Sequence, residues 1–347
     1  MGRRYPAMLA AVALLWGSSF LFIKVAVREL APSTLIMGRL GLGALTLALI
    51  VPLMVGGRAT LEETRRNARW LLVVAFVNVA IPFWLLSWGE TRIDSGLASI
   101  LQASVPIFNA VVAFGFFREV RVTGLRLLGV AIGFVGVALL VGAQPHGKVL
   151  GALAVVGMAL CYAVGQLFAG RHLAHVQPPV VALATTSIAA FATLPGGIAQ
   201  APHHVPSWRA FGSVVALAVP STAIAFLLFY AIIAGAGAAF ASLVTYLVPP
   251  IALAYGAIFL GERFGAAALG GLALILGGVV LGTGRLRFRR RALVHPAGSS
   301  VGYPASGSAF VARTQGAPIA EAIGATEDAA TGGETPPGSC RTSGRVH

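Results

Sequence analysis

The sequence predicts an all-α integral membrane protein: ten transmembrane helices arranged as two inverted five-helix repeats, with a disordered C-terminal tail. Three observations predict it. The 347-residue chain is 57% hydrophobic and only 10% charged, where a soluble domain carries about 25% charged residues. Its apolar residues come in ten blocks, each of about 20 residues and so long enough to cross a ~30 Å hydrocarbon core as a helix. Residues of the fourth block also return in the ninth at a constant offset. Ser99, Val105, Pro106 and Glu119 recur as Ser242, Val248, Pro249 and Glu262, each 143 positions later.

In lipid every backbone polar group needs an internal partner, so each block reads as a helix rather than a loop or open strand. The first, near residues 7–25, follows Arg3 and Arg4 as a secretory signal would. It continues through Trp16, Phe20 and Phe22 with no small-residue cleavage pattern, so it reads as a retained span. The second to fifth lie near 34–56, 70–88, 95–117 and 124–141. The sixth to tenth lie near 149–169, 179–199, 210–230, 238–260 and 266–283, with the turn-rich LPGGIAQAPHHVPSW between the seventh and eighth. The halves are then residues 1–143 and 144–284, followed by a tail over 285–347 that starts basic and becomes rich in Gly, Ala, Ser and Pro. Such a composition has no core to bury.

Charge sets the expected orientation. With both termini in the cytoplasm, fifteen Lys and Arg residues between Arg3 and Arg291 fall inside. Six fall outside: Lys24, Arg28, Arg92, Lys148, Arg209 and Arg263. That is the positive-inside bias of a cell-membrane protein. It accounts for the net charge of +14 without a nucleic-acid partner. The cluster Arg285, Arg287, Arg289, Arg290 and Arg291 is expected on anionic lipid headgroups.

Five spans per half is an odd number, so the second half enters the membrane from the opposite side. Glu119 is then expected at the cytoplasmic face and Glu262 at the outer face. Inverted repeats are a signature of secondary transporters. The prolines point the same way. A proline inside a helix removes a donor and costs about 3 kcal/mol. Pro106 would free the carbonyl of Gln102, Pro249 that of Thr245, Pro250 that of Tyr246 and Pro82 that of Asn78. Matched, interrupted spans point to a midplane site, where freed carbonyls face a watered cavity. Gln102, Pro106 and Asn109 share one helix stripe, and Thr245, Pro249 and Ala252 form its counterpart.

The segments LLWGSSFLFIK, LLSWGETRIDSGLASILQASVPIFNAVVAFGFFREV and GAAFASLVTYLVPPIALAYGAIFLGER resemble the EamA-type permeases of the drug/metabolite transporter superfamily. The resemblance covers about residues 14–282. It implies a ten-span, two-repeat carrier that exports amino acids, metabolites or drug-like compounds, with a Gly-Glu pair closing the fourth helix of each half. This chain departs from that pattern at Arg118-Glu119, where the family has Gly-Glu. Arg39 matches an arginine often found at that place in the family.

The candidate solute contacts are Trp16, Asn78, Gln102, Asn109, Tyr162, Gln166, Thr245 and Tyr246. Intramembrane polar groups are costly and are functional candidates by default, although bonding between helices explains each equally well. Aromatics suit apolar or cationic cargo, or ordinary packing. Arg39 lies about a turn and a half inside its span, where it either snorkels outward or pairs with Glu90. Lys24 reads as a snorkelling residue, and Glu119 and Glu262 as structural. The glycine faces Gly129/Gly133 and Gly278/Gly282 either pack the two halves together or form a homodimer.

Other classes fit less well. Histidines fall in loops, at span ends or in the tail, and HExxH does not occur, so an enzyme is not expected. No filter-like stretch supports a channel. Cys161 and Cys340 make no disulfide framework, and no metal or cofactor is expected.

Overall fold

The computed structural model describes residues 4–116, 124–142, 144 and 146–282. The Glu119 corner, the basic cluster 285–291 and the tail lie outside the described residues. The first half contributes α1 (Arg4–Ala26), α2 (Pro32–Val55), a short polar α3 (Gly57–Arg66) and α4 (Ala68–Ala75). A π-helical turn (Phe76–Ala80) then leads into α5 (Ile81–Glu90), α6 (Ser95–Gln102), α7 (Val105–Phe116) and α8 (Leu125–Gly142). The second half contributes α9 (His146–His172), α10 (Pro178–Ala199) and α11 (Trp208–Ala218), followed by a second π turn (Val219–Ile224). It ends with α12 (Ala225–Ala236), the single turn α13 (Ala238–Ala241), α14 (Val244–Leu260) and α15 (Ala266–Gly282). There is no strand among the described residues.

Among the described residues, seven helical stretches are long and apolar enough to cross a membrane: Arg4–Ala26, Pro32–Val55, Ala68–Glu90, Ser95–Ala113, Lys148–His172, Pro178–Ala199 and Trp208–Ala236. The other three predicted spans correspond to shorter apolar helices, Leu127–Gly142, Val244–Leu260 and Ala266–Leu281. At 1.5 Å per residue, 16 or 17 residues reach only about 25 Å, the lower limit for a span. The chain is therefore a multi-pass, all-helical membrane protein.

Helices distant in sequence pack against each other. The most extensive helix pairs are α8 with α15, α2 with α10, α1 with α14 and α5 with α9, and each joins one predicted half to the other. Small residues permit the closest of these approaches. A Cβ on Gly278 of α15 would sit 2.6 Å from the carbonyl oxygen of Gly129 and 2.6 Å from the amide nitrogen of Gly133, both on α8. Only glycine lets two backbones meet that closely. The Gly129/Gly133 and Gly278 faces are thus used against each other within the chain.

The prolines are accommodated differently from expectation. Pro106 is not in the middle of one helix. The fourth span breaks at Ala103 and Ser104, and Pro106 is the second residue of α7. There its missing N–H is one that a helix start leaves without a partner anyway. Ile107 and Phe108 both donate to the Ser104 carbonyl, at 2.8 and 3.2 Å. Pro249 and Pro250 lie inside a continuous α14, and the ninth span breaks earlier, at Ser242 and Leu243. The two breaks are therefore not at equivalent positions, since 103 + 143 is 246 and not 242. Pro82 follows the first π turn, whose wider winding absorbs the lost bond. The second π turn holds Pro220, which the sequence reading did not single out. The two π turns start 143 residues apart, at Phe76 and Val219.

Candidate functional site

Where the interrupted helices meet there is a cavity of about 520 Å³, within the range of small-molecule sites. All eight predicted contacts line it: Trp16, Asn78, Gln102, Asn109, Tyr162, Gln166, Thr245 and Tyr246. Pro106 and Pro249 line it as well. Pro82 and Pro250 do not reach it: Pro82 is buried at the start of α5 and Pro250 is exposed.

One wall is aromatic. The Trp16 ring lies 5.0 Å from Phe229 and 6.1 Å from Phe226 between centroids, and Phe226 stacks on Tyr230 at 6.1 Å. Phe226, Phe229 and Tyr230 were not among the predicted contacts, although their i, i+3, i+4 spacing on α12 places them on one face. Their presence gives the cavity an apolar, stackable surface.

The rest of the wall is polar. Asn78 sits within the first π turn, and a Cβ on Gly165 of α9 would lie 2.9 Å from its Oδ1. The Asn109 side-chain amide donates to Gln166 Oε1 at 3.1 Å. Asn78 Oδ1 and Asn109 Oδ1 are buried with no hydrogen-bond donor. Thr222, in the second π turn, donates to the Leu217 carbonyl at 2.8 Å, and Ser221 donates to the Leu15 carbonyl at 3.0 Å.

Arg39 also lines the cavity, contrary to both expectations for it. It does not snorkel: it is only 6% exposed. Nor does it pair with Glu90. Its Nε donates to Thr222 Oγ1 at 3.1 Å, and the guanidinium lies over the Phe83 ring at 4.2 Å. Glu90 is fully buried, with neither carboxylate oxygen hydrogen-bonded.

One end of the bundle is tied by contacts between distant segments. Glu262 accepts from Ser95 N (2.8 Å), Ser95 Oγ (3.0 Å) and Gly96 N (3.0 Å), capping the start of α6 from the other half. Gly261 makes this reach available. It ends α14 in the left-handed region at φ 67°, which turns the next residue back across the helix end. The predicted structural role of Glu262 takes this specific form. Glu29 likewise accepts from Ser207 N (2.8 Å) and Ser207 Oγ at the start of α11. Those two bonds, the hydroxyl's foremost, hold the Glu29 carboxyl below its ordinary range. Lys24 does more than snorkel: its Nζ donates to the carbonyls of Glu90 (2.7 Å) and Ile93 (2.6 Å). At the opposite end Glu63 accepts from Gln177 N (3.0 Å), before α10.

A family model, described as the EamA-like transporter family, matches residues 4–142 and again 149–283. Among similar proteins, one from Streptantibioticus cattleyicolor named "Probable terminal-alkyne amino-acid exporter" is 30% identical over 82% of this chain and 94% of its own length. A "Probable amino-acid metabolite efflux pump" of Salmonella typhimurium is 26% identical over 85% of this chain and 99% of its own. An "Uncharacterized transporter" of Archaeoglobus fulgidus is 26% identical over 79% of this chain and 96% of its own. A solved crystal structure that is 19% identical aligns over 83% of this chain and 99% of its own with a TM-score of 0.59, which is a likeness of fold.

Proposed function

The chain belongs to the EamA-like transporter family, and from that premise we propose that it is a secondary transporter of the cell membrane. It exports small organic solutes by alternating access, amino acids and related metabolites foremost. The observation that carries this is the cavity: about 520 Å³, deep among apolar helices, with lining residues from both predicted halves. The relatives named as exporters and efflux pumps of amino-acid compounds support the choice of solute.

Three features support the inverted five-plus-five arrangement. The family model matches twice. The π turns recur 143 residues apart. The largest helix contacts join first half to second. With both termini in the cytoplasm, Glu29, Ser95, Ser207 and Glu262 lie at the outer end and Glu63 at the inner end. The cavity comes within about a turn of the outer end at Leu86 and Ser99 and reaches Ser242, Val244 and Val279 toward the inner end. From α14 it takes Val244, Thr245, Tyr246, Val248 and Pro249 and none of the turns leading to Glu262. Its reach toward the inner end, with the carboxylate caps made at the other, supports an inward-facing conformer whose outer side is held closed by those caps. In the outward-facing conformer those caps separate.

Reconstituted into liposomes, the protein is expected to take up radiolabelled amino acid by saturable counterflow against the same unlabelled compound inside. Flux that is linear in concentration and shows no counterflow would make the pathway a channel and refute the carrier reading.

A further inference from the structure

We propose that Arg39 is the carboxylate receptor of the cavity. The preferred cargo is then a small carboxylate with an apolar side chain. This rests on the transport reading above and specifies the chemistry of its site.

The first step is the cost of a buried cation. Arginine stays charged at any working pH, and a charge held away from water needs a partner to offset several kcal/mol of lost hydration. Arg39 is 6% exposed. The ion pair between Lys148 and Asp94, at 4.0 Å, does not involve it. Glu90, the acidic partner the sequence suggests, makes no hydrogen bond to it.

The second step is what the guanidinium has left to offer. Its Nε is committed to Thr222 and one face is covered by Phe83. The terminal nitrogens make no hydrogen bond to any described residue, and the side chain lines the cavity. A guanidinium edge presenting parallel N–H groups matches a carboxylate in bidentate fashion.

The third step is the rest of the lining. Trp16 and Phe229 supply an apolar wall for the cargo's side chain. Asn78 Oδ1 and Asn109 Oδ1 are shut away from the cavity, which leaves the guanidinium edge as the charged group that meets the cargo.

The test compares L-tryptophan, L-phenylalanine and L-leucine with their methyl esters, which keep the amine and side chain but lose the carboxylate. Binding is measured by calorimetry on the full-length protein in lipid nanodiscs. In the wild-type protein each acid is expected to bind about 10- to 100-fold more tightly than its ester, the size of one charge-assisted interaction. Arg39→Gln should weaken the acid to the level of the ester and leave the ester's affinity where it was. Equal binding of acid and ester by the wild-type protein overturns the proposal without any variant being needed, and so does failure of all three acids to bind. Equal weakening of acid and ester by Arg39→Gln also overturns it, because the residue would then be structural. Saturable counterflow of other solutes in any of those cases leaves the transport reading standing.

Discussion

Replacing Glu262 by alanine should open the end of the bundle where Glu262 caps α6. The carboxylate takes three hydrogen bonds, from Ser95 N, Ser95 Oγ and Gly96 N, at 2.8 to 3.0 Å. A hydrogen bond to a charged acceptor contributes about 1.5–3 kcal/mol. The site is half-buried, so water replaces part of what is lost and the three do not add. Loss of an N-cap alone costs about 0.5–2 kcal/mol, and loss of a negative charge at a helix start a further 0.3–1. Together these give roughly 1–3 kcal/mol favouring the capped conformer, or about 5- to 150-fold in population. The reporter is Ser99→Cys, a buried cavity-lining position, in a chain with Cys161 and Cys340 replaced by serine. A membrane-impermeant maleimide added outside should label it at least about fivefold faster when Glu262→Ala is added, with Glu262→Gln in between. An unchanged labelling rate together with an unchanged melting temperature would refute the idea that this cap holds the outer side shut.

Other expectations follow from the same contacts. Gly278→Val places a side chain against the Gly129 and Gly133 backbone, where overpacking costs about 1–3 kcal/mol or more; a lower melting temperature is expected, and an unchanged one refutes the close crossing of α8 and α15. Glu90→Gln replaces a fully buried carboxyl that has no hydrogen-bond partner by a neutral isostere, so the melting temperature should hold or rise. If Glu90 also carries a coupling proton, pH-driven efflux should vanish in that variant while exchange persists, and an unchanged pH dependence removes the idea. For Glu29 the folded carboxyl is depressed by Ser207. The stabilisation it provides is therefore present above the ordinary value of 4.5 and is lost as pH falls through the lower folded value. The difference in melting temperature between wild type and Glu29→Gln should accordingly shrink on acidification below that range, and a difference independent of pH would refute it.

The long apolar helices were legible because they depend on long-range averages. Twenty apolar residues read as a membrane helix whatever their order, and an offset of 143 shared by Ser99, Pro106 and Glu119 needs no structure to detect. The manner in which each proline is absorbed was not legible. Pro106 starts a helix, Pro82 follows a π turn, and Pro249 and Pro250 ride inside α14. The first two spare the chain most of the cost of an unmade bond, whereas Pro249 and Pro250 still remove two donors from α14. The choice among them depends on neighbours such as Ser104, whose hydroxyl donates to the Leu101 carbonyl at 2.6 Å across the break.

The polar cavity residues were partly legible for a related reason. A polar side chain in an apolar run announces a cost, and Asn78, Gln102, Asn109 and Gln166 are found together around one cavity. Arg39 announced a larger cost, yet its depth in the second span is also compatible with snorkelling, so position alone assigns it nothing. What decides it is the company that folding brings. Phe83 covers one face from α5, and Thr222 takes Nε from a π turn 183 residues away. Thr222 can do so because its own hydroxyl proton goes to the Leu217 carbonyl, five residues back, leaving its oxygen free to accept. The second π turn thus does two things at once: it accommodates Pro220 and presents an acceptor that fixes a cation at the cavity wall. A feature that looked only like relief of backbone strain is what aims the charge.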